Sequence, residues 1–496
     1  MSKKLGLSVK KADFSKWYEE ITFLSSIVEK RVPNSRGFYS YPFWGTEIFR
    51  KMEAIYEEEL IKTGHRPIRT PTVIPETLLA LEKEHAEGFA PETWRITQGR
   101  GKKKLEIPKV LRPTGEMIIY SSFKFWVRSW RDLPFKTFET RQIFRAEADA
   151  AILPLLRSHE FFWVEAHDVQ SSNEEADKQV IEDISIFSNV LKKFCLPFTV
   201  FKRPEHDKFP GAVYTCAYDI PMPDRKVLQI GSTHNLGQNF SKAIGIKYQT
   251  KDEKEDFVYQ TCFGPAVSRT LGGLIAIHGD DKGLVLPPAL SPILVIIIPI
   301  FYKDKQSVLK HSKEIEKKLL DYNISCRIDD REQHTPGFKF NEWELKGVPI
   351  RLEIGPKDIE KKQAVLVRRD TSEKKSVKLS DLEKEIKTMS DDISKNMLQK
   401  AEKALKIDKA SNLDEIIKKS KQGTHLIEVP FCDETSCAEN LKEKSSGIKV
   451  RGIWLFKNKE KTVQECEQLA TSAAKNKKCA ICGKKAKKMS FLARQY

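Results

Sequence analysis

Four cysteines near the end of the chain fall into two short-spaced pairs, Cys432-x4-Cys437 and Cys479-x2-Cys482. Each pair has a turn-forming neighbour, Asp433 in one and Gly483 in the other. Four thiolates in two knuckles suit a tetrahedral zinc ion, and four sulfur ligands leave no open coordination position. The predicted site is therefore structural rather than catalytic; the alternative is four unrelated thiols. Cys195, Cys216, Cys262, Cys326 and Cys466 lack ligand spacing, and core packing is expected of them. A second group lies upstream. In Arg112-Pro113-Thr114-Gly115-Glu116 a hydroxyl and a carboxylate stand two residues apart on an expected loop. Together they suit a substrate ammonium, one oxygen accepting a hydrogen bond and the other neutralising charge. A helix N-cap at Thr114 is the plainer reading.

Arg145-Ala146-Glu147 ends an expected strand, and a loop leads to Arg157 and then to Phe162-Trp163-Val164-Glu165-Ala166-His167. Alternate residues of a strand share a face, so Trp163, Glu165 and His167 line one side while Phe162 and Val164 suit a core. Residues 228–240, which include Gln229, Ser232 and His234, are dense in small and hydrogen-bonding side chains. They suit a polar site approached closely by backbone, or a hydrogen-bonded turn. Arg269 sits at a strand-to-helix junction, a position well placed for a phosphate.

These groups need elements to hold them. Apolar spacing predicts helices over 49–61 and 174–191, and strands over 66–74, 135–145, 160–169 and 227–231. Strand runs fed by few helices point to an antiparallel sheet. Three prolines in residues 286–292 predict a stiff connector. After it come strands at 293–300, 324–329, 348–354 and 364–369 and a helix at 307–322, the rhythm of a small α/β unit with a parallel sheet. A charged helix over 380–405 leads to the third region. The expected domains are 1–285, 286–400 and 401–496.

The chain of 496 residues is 40% hydrophobic and 31% charged, which excludes global disorder. Its formal net charge is +17, and +9 of that lies in residues 401–496, so a polyanion, nucleic acid first, is the expected partner. The N-terminus shows no apolar signal-peptide core, and the longest apolar run, 293–302, is too short to span a membrane. A cytoplasmic protein with reduced cysteines is expected, without a membrane segment.

Taken together, these motifs resemble the class II aminoacyl-tRNA synthetases, and within them the prolyl-tRNA synthetases of archaeal and eukaryotic type. Pro71 with the helix before it looks like motif 1, Arg145 through Glu165 like motif 2, and Ser268-Arg269 like motif 3. Residues 81–85, 89–92, 237–241, 278–280 and 343–351 resemble segments specific to the prolyl family. The resemblance implies an α+β catalytic domain with an antiparallel sheet and flanking helices. An α/β anticodon-binding domain and a small zinc-binding α/β domain would follow. It also implies a homodimer and attachment of L-proline to tRNA(Pro) through a prolyl-adenylate, with ATP as substrate and Mg2+ on its phosphates.

Carried over by position, Arg145 and Arg269 are the expected catalytic residues. Thr114, Glu116, Arg145, Trp163, Glu165, His167 and His234 would bind proline, with Trp163 and His167 closing on the ring. Arg145, Glu147, Arg157, Gln229, Ser232 and Arg269 would bind ATP. Cys432, Cys437, Cys479 and Cys482 would hold zinc. Arg331, Lys339, Glu344, Lys346 and Arg351 are candidates for reading the anticodon, or for contacting phosphate or solvent. The terminal Tyr496 matches the family's ending and is expected near the catalytic domain. Between Glu147 and Arg269 there is no room for an editing insertion.

Two stretches depart from the family pattern. Residues 146–156 are apolar and acidic where basic or aromatic residues are usual, and Gly115, Met117 and Val267 replace hydroxyl residues. A sister class II synthetase would share the three motifs but not residues 343–351 or the cysteine region. A non-catalytic synthetase-like RNA-binding or regulatory protein would be expected to have lost Arg145 or Arg269.

Overall fold

An 11-stranded sheet dominates the computed structural model, which describes residues 6–79, 92–301, 305–455 and 461–496. Its strands in chain order are β1 (Arg66–Pro67), β2 (Phe135–Phe144), β3 (Glu160–Gln170), β4 (Thr199–Lys202), β5 (Tyr214–Pro221) and β6 (Val227–Gly237). Then come β7 (Tyr259–Pro265), β8 (Ile407–Lys409), β9 (Leu426–Phe431), β10 (Ile448–Leu455) and β11 (Lys488–Arg494). The spatial order is β1-β2-β3-β7-β6-β5-β4-β10-β11-β9-β8. Every neighbouring pair is antiparallel except β1 with β2 and β8 with β9. The expected antiparallel sheet is present, and the region after residue 400 extends it. β10 pairs with β4 at Ile453↔Lys202, Trp454↔Phe201 and Leu455↔Val200. Phe201, Trp454 and Phe491 pack at that seam, with Phe201 and Phe491 rings 5.6 Å apart.

The described residues group into two compact units, one of which is 53–190, 198–273 and 405–496 and contains the whole of this sheet. The helix Glu116–Trp126 lies over part of it, burying Met117, Ile119, Tyr120 and Phe123 against Val169, Leu236 and Phe240. These four repeat at helical spacing, which gives the helix one apolar face. The expected strand over 66–74 is broken into Arg66–Pro67 and Val73–Pro75. Thr70 between them turns its amide and hydroxyl to the Glu139 side-chain carboxylate, at 2.6 and 2.8 Å, instead of to a strand backbone.

The other unit comprises residues 1–52, 191–197 and 274–404. Its five-stranded sheet runs Cys326–Ile328, Val295–Pro299, Ile350–Ile354, Gln363–Arg368, Lys374–Lys378. The first three are parallel and the last two join antiparallel, so the sheet is mixed rather than the parallel sheet expected. The helix Pro356–Glu360 leads into the first antiparallel strand and a short turn joins it to the second, and an antiparallel neighbour needs no long crossover. The helix Leu382–Ala404 buries Leu382, Ile386, Met389, Ile393, Met397 and Ala401, an uninterrupted stripe at steps of three and four. The proline-rich stretch is not a solvated connector. Leu286 and Leu290 are fully buried, and the Leu284 and Leu286 amides donate to the Leu345 and Gly347 carbonyls.

Candidate active site

Sheet register assembles the site. Across β3, β7, β6 and β5 the row His167, Cys262, His234, Thr215 runs residue opposite residue, and Gly264 faces Ser232 in a neighbouring row. Directly paired residues of antiparallel strands share a face. Side chains from four separate strands therefore meet over one patch of sheet. β2 delivers Arg145 at its end, the helix Val267–His278 delivers Arg269, and the loop before Glu116–Trp126 delivers Thr114. They enclose a cavity of about 720 Å³.

One end of the cavity is acidic. The Thr114 hydroxyl donates to Glu116 Oε2, and the Gly115 amide donates to Glu165 Oε1 at 3.2 Å. Glu116 and Glu165 are nearly fully buried, and Glu165 Oε2 has no hydrogen-bond partner among the described residues. Burial pushes the Glu165 carboxyl up, but His167 and the Arg112 guanidinium outweigh it and hold it below the ordinary range. Two buried carboxylates beside a hydroxyl suit a cationic nitrogen. Thr114 does not act as an N-cap; Gly115 occupies that position. The Cys262 thiol donates to Glu116 Oε1 at 3.3 Å, so this cysteine lines the site and is not the plain core residue expected.

The His234 ring sits between the Thr215 hydroxyl at 2.8 Å and the Ser232 hydroxyl at 3.0 Å. Burial and the nearby His167 lower its pKa to about 3, so it is neutral at physiological pH. Trp163 forms a wall, its ring over the position of Gly264. His167 is fully buried behind Glu165, with Nε2 3.8 Å from Glu165 Oε2 and its ring edge-on to Tyr120 at 5.1 Å. It is not among the residues that line the cavity, where the resemblance implied that it closes on the substrate ring. The helix Glu116–Trp126 covers that end of β3 with Tyr120.

The other end is cationic. Arg145 Nε donates to the Pro113 carbonyl at 3.3 Å, and its guanidinium lies over the Phe161 and Trp163 rings at 5.4 and 5.8 Å. Arg269 donates to the carbonyls of Leu156 at 3.0 Å and Gln229 at 3.1 Å. Burial and repulsion from Arg145 and Arg157 lower the Arg269 pKa to about 10, with Glu147 opposing them. Glu147 stands 3.8 Å from Arg157. Three guanidiniums that repel one another in a partly desolvated cleft are stabilised by a bound polyanion.

In the C-terminal part, the Sγ atoms of Cys432, Cys437, Cys479 and Cys482 all lie within 4.8 Å of one another. The Cys437–Cys479 and Cys432–Cys482 separations are both 3.7 Å. A tetrahedron with Zn–S of about 2.3 Å has sulfur edges of roughly 3.8 Å, so the four thiols fit zinc. Asp433 and Gly483 both have positive φ, 62° and 74°, which curls each knuckle around its thiols.

The comparisons with known proteins cover the same elements. Residues 102–278 match the tRNA synthetase class II core domain (G, H, P, S and T), 294–389 the anticodon binding domain, and 413–496 the prolyl-tRNA synthetase C-terminal domain. Proline--tRNA ligase of Thermofilum pendens is 40% identical over 497 residues, 99% of each chain. That of Pyrococcus abyssi is 38% identical over 98% of each. The chain belongs to the prolyl-tRNA synthetases. A crystal structure of the Cryptosporidium parvum prolyl-tRNA synthetase, complexed with halofuginone and AMPPNP, covers 99% of this chain at 31% identity and a TM-score of 0.89. As a member of this family the chain attaches proline to tRNA, and the class II core carries out the ATP-dependent activation.

The segments singled out as prolyl-specific are accounted for in different ways. Residues 81–85 and 89–91 lie outside the described residues. Asp280 of the 278–280 segment holds Arg369 through two hydrogen bonds of 2.6 and 2.8 Å, a structural role. In the anticodon-binding region of this synthetase the five candidates are interlocked. Arg331 is bidentate on Asp329 and reaches Glu342, and Lys339 is buried with Nζ on the Asp329 carbonyl. Lys346 pairs with Glu342, while Arg351 bridges Glu344 and Glu353 with its guanidinium 4.0 Å from the Phe340 centroid.

The cavity also has walls that the sequence reading missed. Arg203, Lys208, Phe209, Thr215, Lys449 and Gln495 line it. Lys449 and Gln495 come from the far end of the chain, and the β4–β10 pairing together with the Val227–Gln495 bridge brings them there. No local pattern marks them. These residues supply positive charge that the apolar 146–156 loop lacks; that loop contributes Ala146, Glu147 and Ala148 to the wall.

Proposed function

We propose the following division of labour for proline activation in this cavity. Thr114, Glu116 and Glu165 bind the imino group, Trp163 and neutral His234 enclose the ring, and Arg145 stands between the proline carboxylate and the α-phosphate. Arg157, Gln229, Ser232 and Arg269 hold ATP, with Glu147 beside the nucleotide. A carboxylate oxygen of proline attacks the α-phosphorus and the bond to pyrophosphate breaks. The terminal ribose hydroxyl of tRNA then attacks the adenylate carbonyl and AMP leaves. Neither step asks the protein for a nucleophile, so positioning and charge stabilisation account for the rate. The carrying observation is one cavity with a hydroxyl and two buried carboxylates at one end and Arg145 and Arg269 at the other, with Arg157 in the adjoining pocket.

Mg2+ usually takes only one or two protein carboxylates and completes its shell with phosphate oxygens and water. Glu147 on the cavity wall would supply such a ligand, and the ion would neutralise phosphate charge. Zinc on Cys432, Cys437, Cys479 and Cys482 would be structural. The division into 1–285, 286–400 and 401–496 remains our functional reading of the chain. Residues 286–400 would bind the anticodon stem-loop of tRNA(Pro), with Arg331, Glu344, Lys346 and Arg351 as polar groups at that surface. Lys339 is buried among its own partners and would act by holding Asp329. A homodimer is supported by large apolar side chains exposed at Ile61, Val73, Ile107, Phe125 and Trp126. Among the described residues no helix is long and apolar enough to cross a membrane; we place the enzyme in the cytoplasm.

The test is ATP–pyrophosphate exchange with each of the twenty amino acids, magnesium present. Exchange with proline far above the rest is expected. Absence of exchange with every amino acid, with and without tRNA, would sink the reading.

A further inference from the structure

Arg451 on β10 is fully buried, although no substrate role falls to it. Its Nε and Nη2 donate to the two oxygens of Asp219 on β5, each at 2.7 Å, and its Nη1 donates to Gln495 Oε1. Asp219 is itself fully buried, next to the register irregularity between Tyr218 and Asp219. It carries a second guanidinium. Arg203 Nη2 reaches Asp219 Oδ1 at 3.3 Å and Gln229 Oε1 at 2.8 Å, and Arg203 Nη1 reaches the Arg451 carbonyl at 3.3 Å. Arg203, Gln229 and Gln495 all line the cavity. One carboxylate is thus shared by two buried cations, and the stronger claim belongs to Arg451.

That sharing has a consequence for the wall. While Arg451 occupies both Asp219 oxygens, Arg203 is left with a long contact to Asp219 and a short one to Gln229. Without Arg451 the Asp219 charge would lack its main partner, and Arg203 would turn to it and release Gln229. A buried carboxylate outcompetes a neutral amide for a guanidinium.

We propose that Arg451 and Gln495 are positioning residues for the nucleotide end of the site. Acting through Asp219 and Arg203, they set the Gln229 side chain, so that affinity for ATP depends on the C-terminal segment. This rests on the reading above that Gln229 contacts ATP. Arg451 does not line the cavity, whereas Gln495 stands on its wall.

The test uses the full-length chain in proline-dependent ATP–pyrophosphate exchange, comparing Arg451→Met, Arg451→Lys, Gln495→Ala, Gln229→Ala and the Arg451→Met/Gln229→Ala double variant. Lysine keeps the charge but not the bidentate geometry. Arg451→Met is expected to raise the KM for ATP roughly tenfold while the KM for proline changes less than about twofold. Gln495→Ala and Arg451→Lys should move the ATP KM in the same direction by less. The double variant should be no worse for ATP than Gln229→Ala alone, because the two residues act in series. An ATP KM unchanged in both Gln495→Ala and Arg451→Lys would overturn the proposal. So would equal rises for both substrates together with a lower melting temperature, or additive effects in the double variant. If Arg451→Met fails to fold, the two milder variants decide. Loss of exchange in the unsubstituted chain would instead strike the functional reading beneath it.

Discussion

At the scale of single residues, the site works through charges that burial has made scarce. Glu116 and Glu165 are both nearly fully buried, and in the proposed reading they would face one cationic nitrogen. Glu116→Gln should raise the KM for proline by about tenfold to a hundredfold, the effect expected for a lost charge-assisted hydrogen bond. The ATP KM should hardly move, and steady-state exchange kinetics separate the two. A second buried group lies away from the cavity. Asp183 accepts from Thr233 Oγ1 at 2.6 Å and Gln179 Nε2 at 2.8 Å, with Asp168 and His65 close by. Burial and the Asp168 charge raise its pKa to about 7. The folded state therefore holds this proton more tightly than the unfolded state. Its stabilising contribution is complete below the ordinary carboxyl pKa and is lost as pH rises to about 7. The His65 imidazole, raised by Asp168 against the effect of burial, contributes with the same sign. Asp183→Asn should flatten the fall in melting temperature between pH 5 and 8; an unchanged slope would contradict this assignment.

At the scale of elements, the pocket depends on how closely strands and side chains approach. A Cβ on Gly264 of β7 would lie 2.8 Å from the Trp163 ring, closer than real contacts allow. Gly264→Ala should push that ring into the cavity and raise the KM for proline at least about tenfold, by the geometry argument that small misplacements are costly. Melting should change little, since the displaced ring moves toward open space. Much at this scale was legible in the sequence. The strands at 135–144 and 160–170 and the helix at 173–193 followed from periodicity within a residue or two. The burial of His167 under Tyr120 was not legible, because alternation tells which face a residue takes but not which helix then covers it. The break at Thr70 was missed because its partner, Glu139, lies on another strand.

At the scale of the whole molecule, charge governs the encounter with tRNA. A net charge of +17, more than half of it in residues 401–496, favours a polyanion over any sequence-specific contact. The dissociation constant for tRNA(Pro) should therefore weaken linearly on a log–log plot against salt, with a slope of about 0.7 to 0.9 per phosphate contacted. Filter binding at several potassium concentrations measures it, and a slope near zero would mean that non-ionic contacts dominate. By itself the sequence implied the reaction through its resemblance to the prolyl-tRNA synthetases, while its separate motifs gave only the chemistry each could do. The hydroxyl–carboxylate pair, the arginines at their junctions and the paired cysteines are local patterns, set by residue type and spacing. It also determined the antiparallel sheet, because hydrophobic alternation is local too. Only the tertiary structure decided that Cys262 touches Glu116, that His167 stands behind the cavity, and that Lys449 and Gln495 complete its wall. The reason is physical. Those contacts join strands that are distant in the chain, and register between such strands is fixed by collective burial, not by any motif the strands carry.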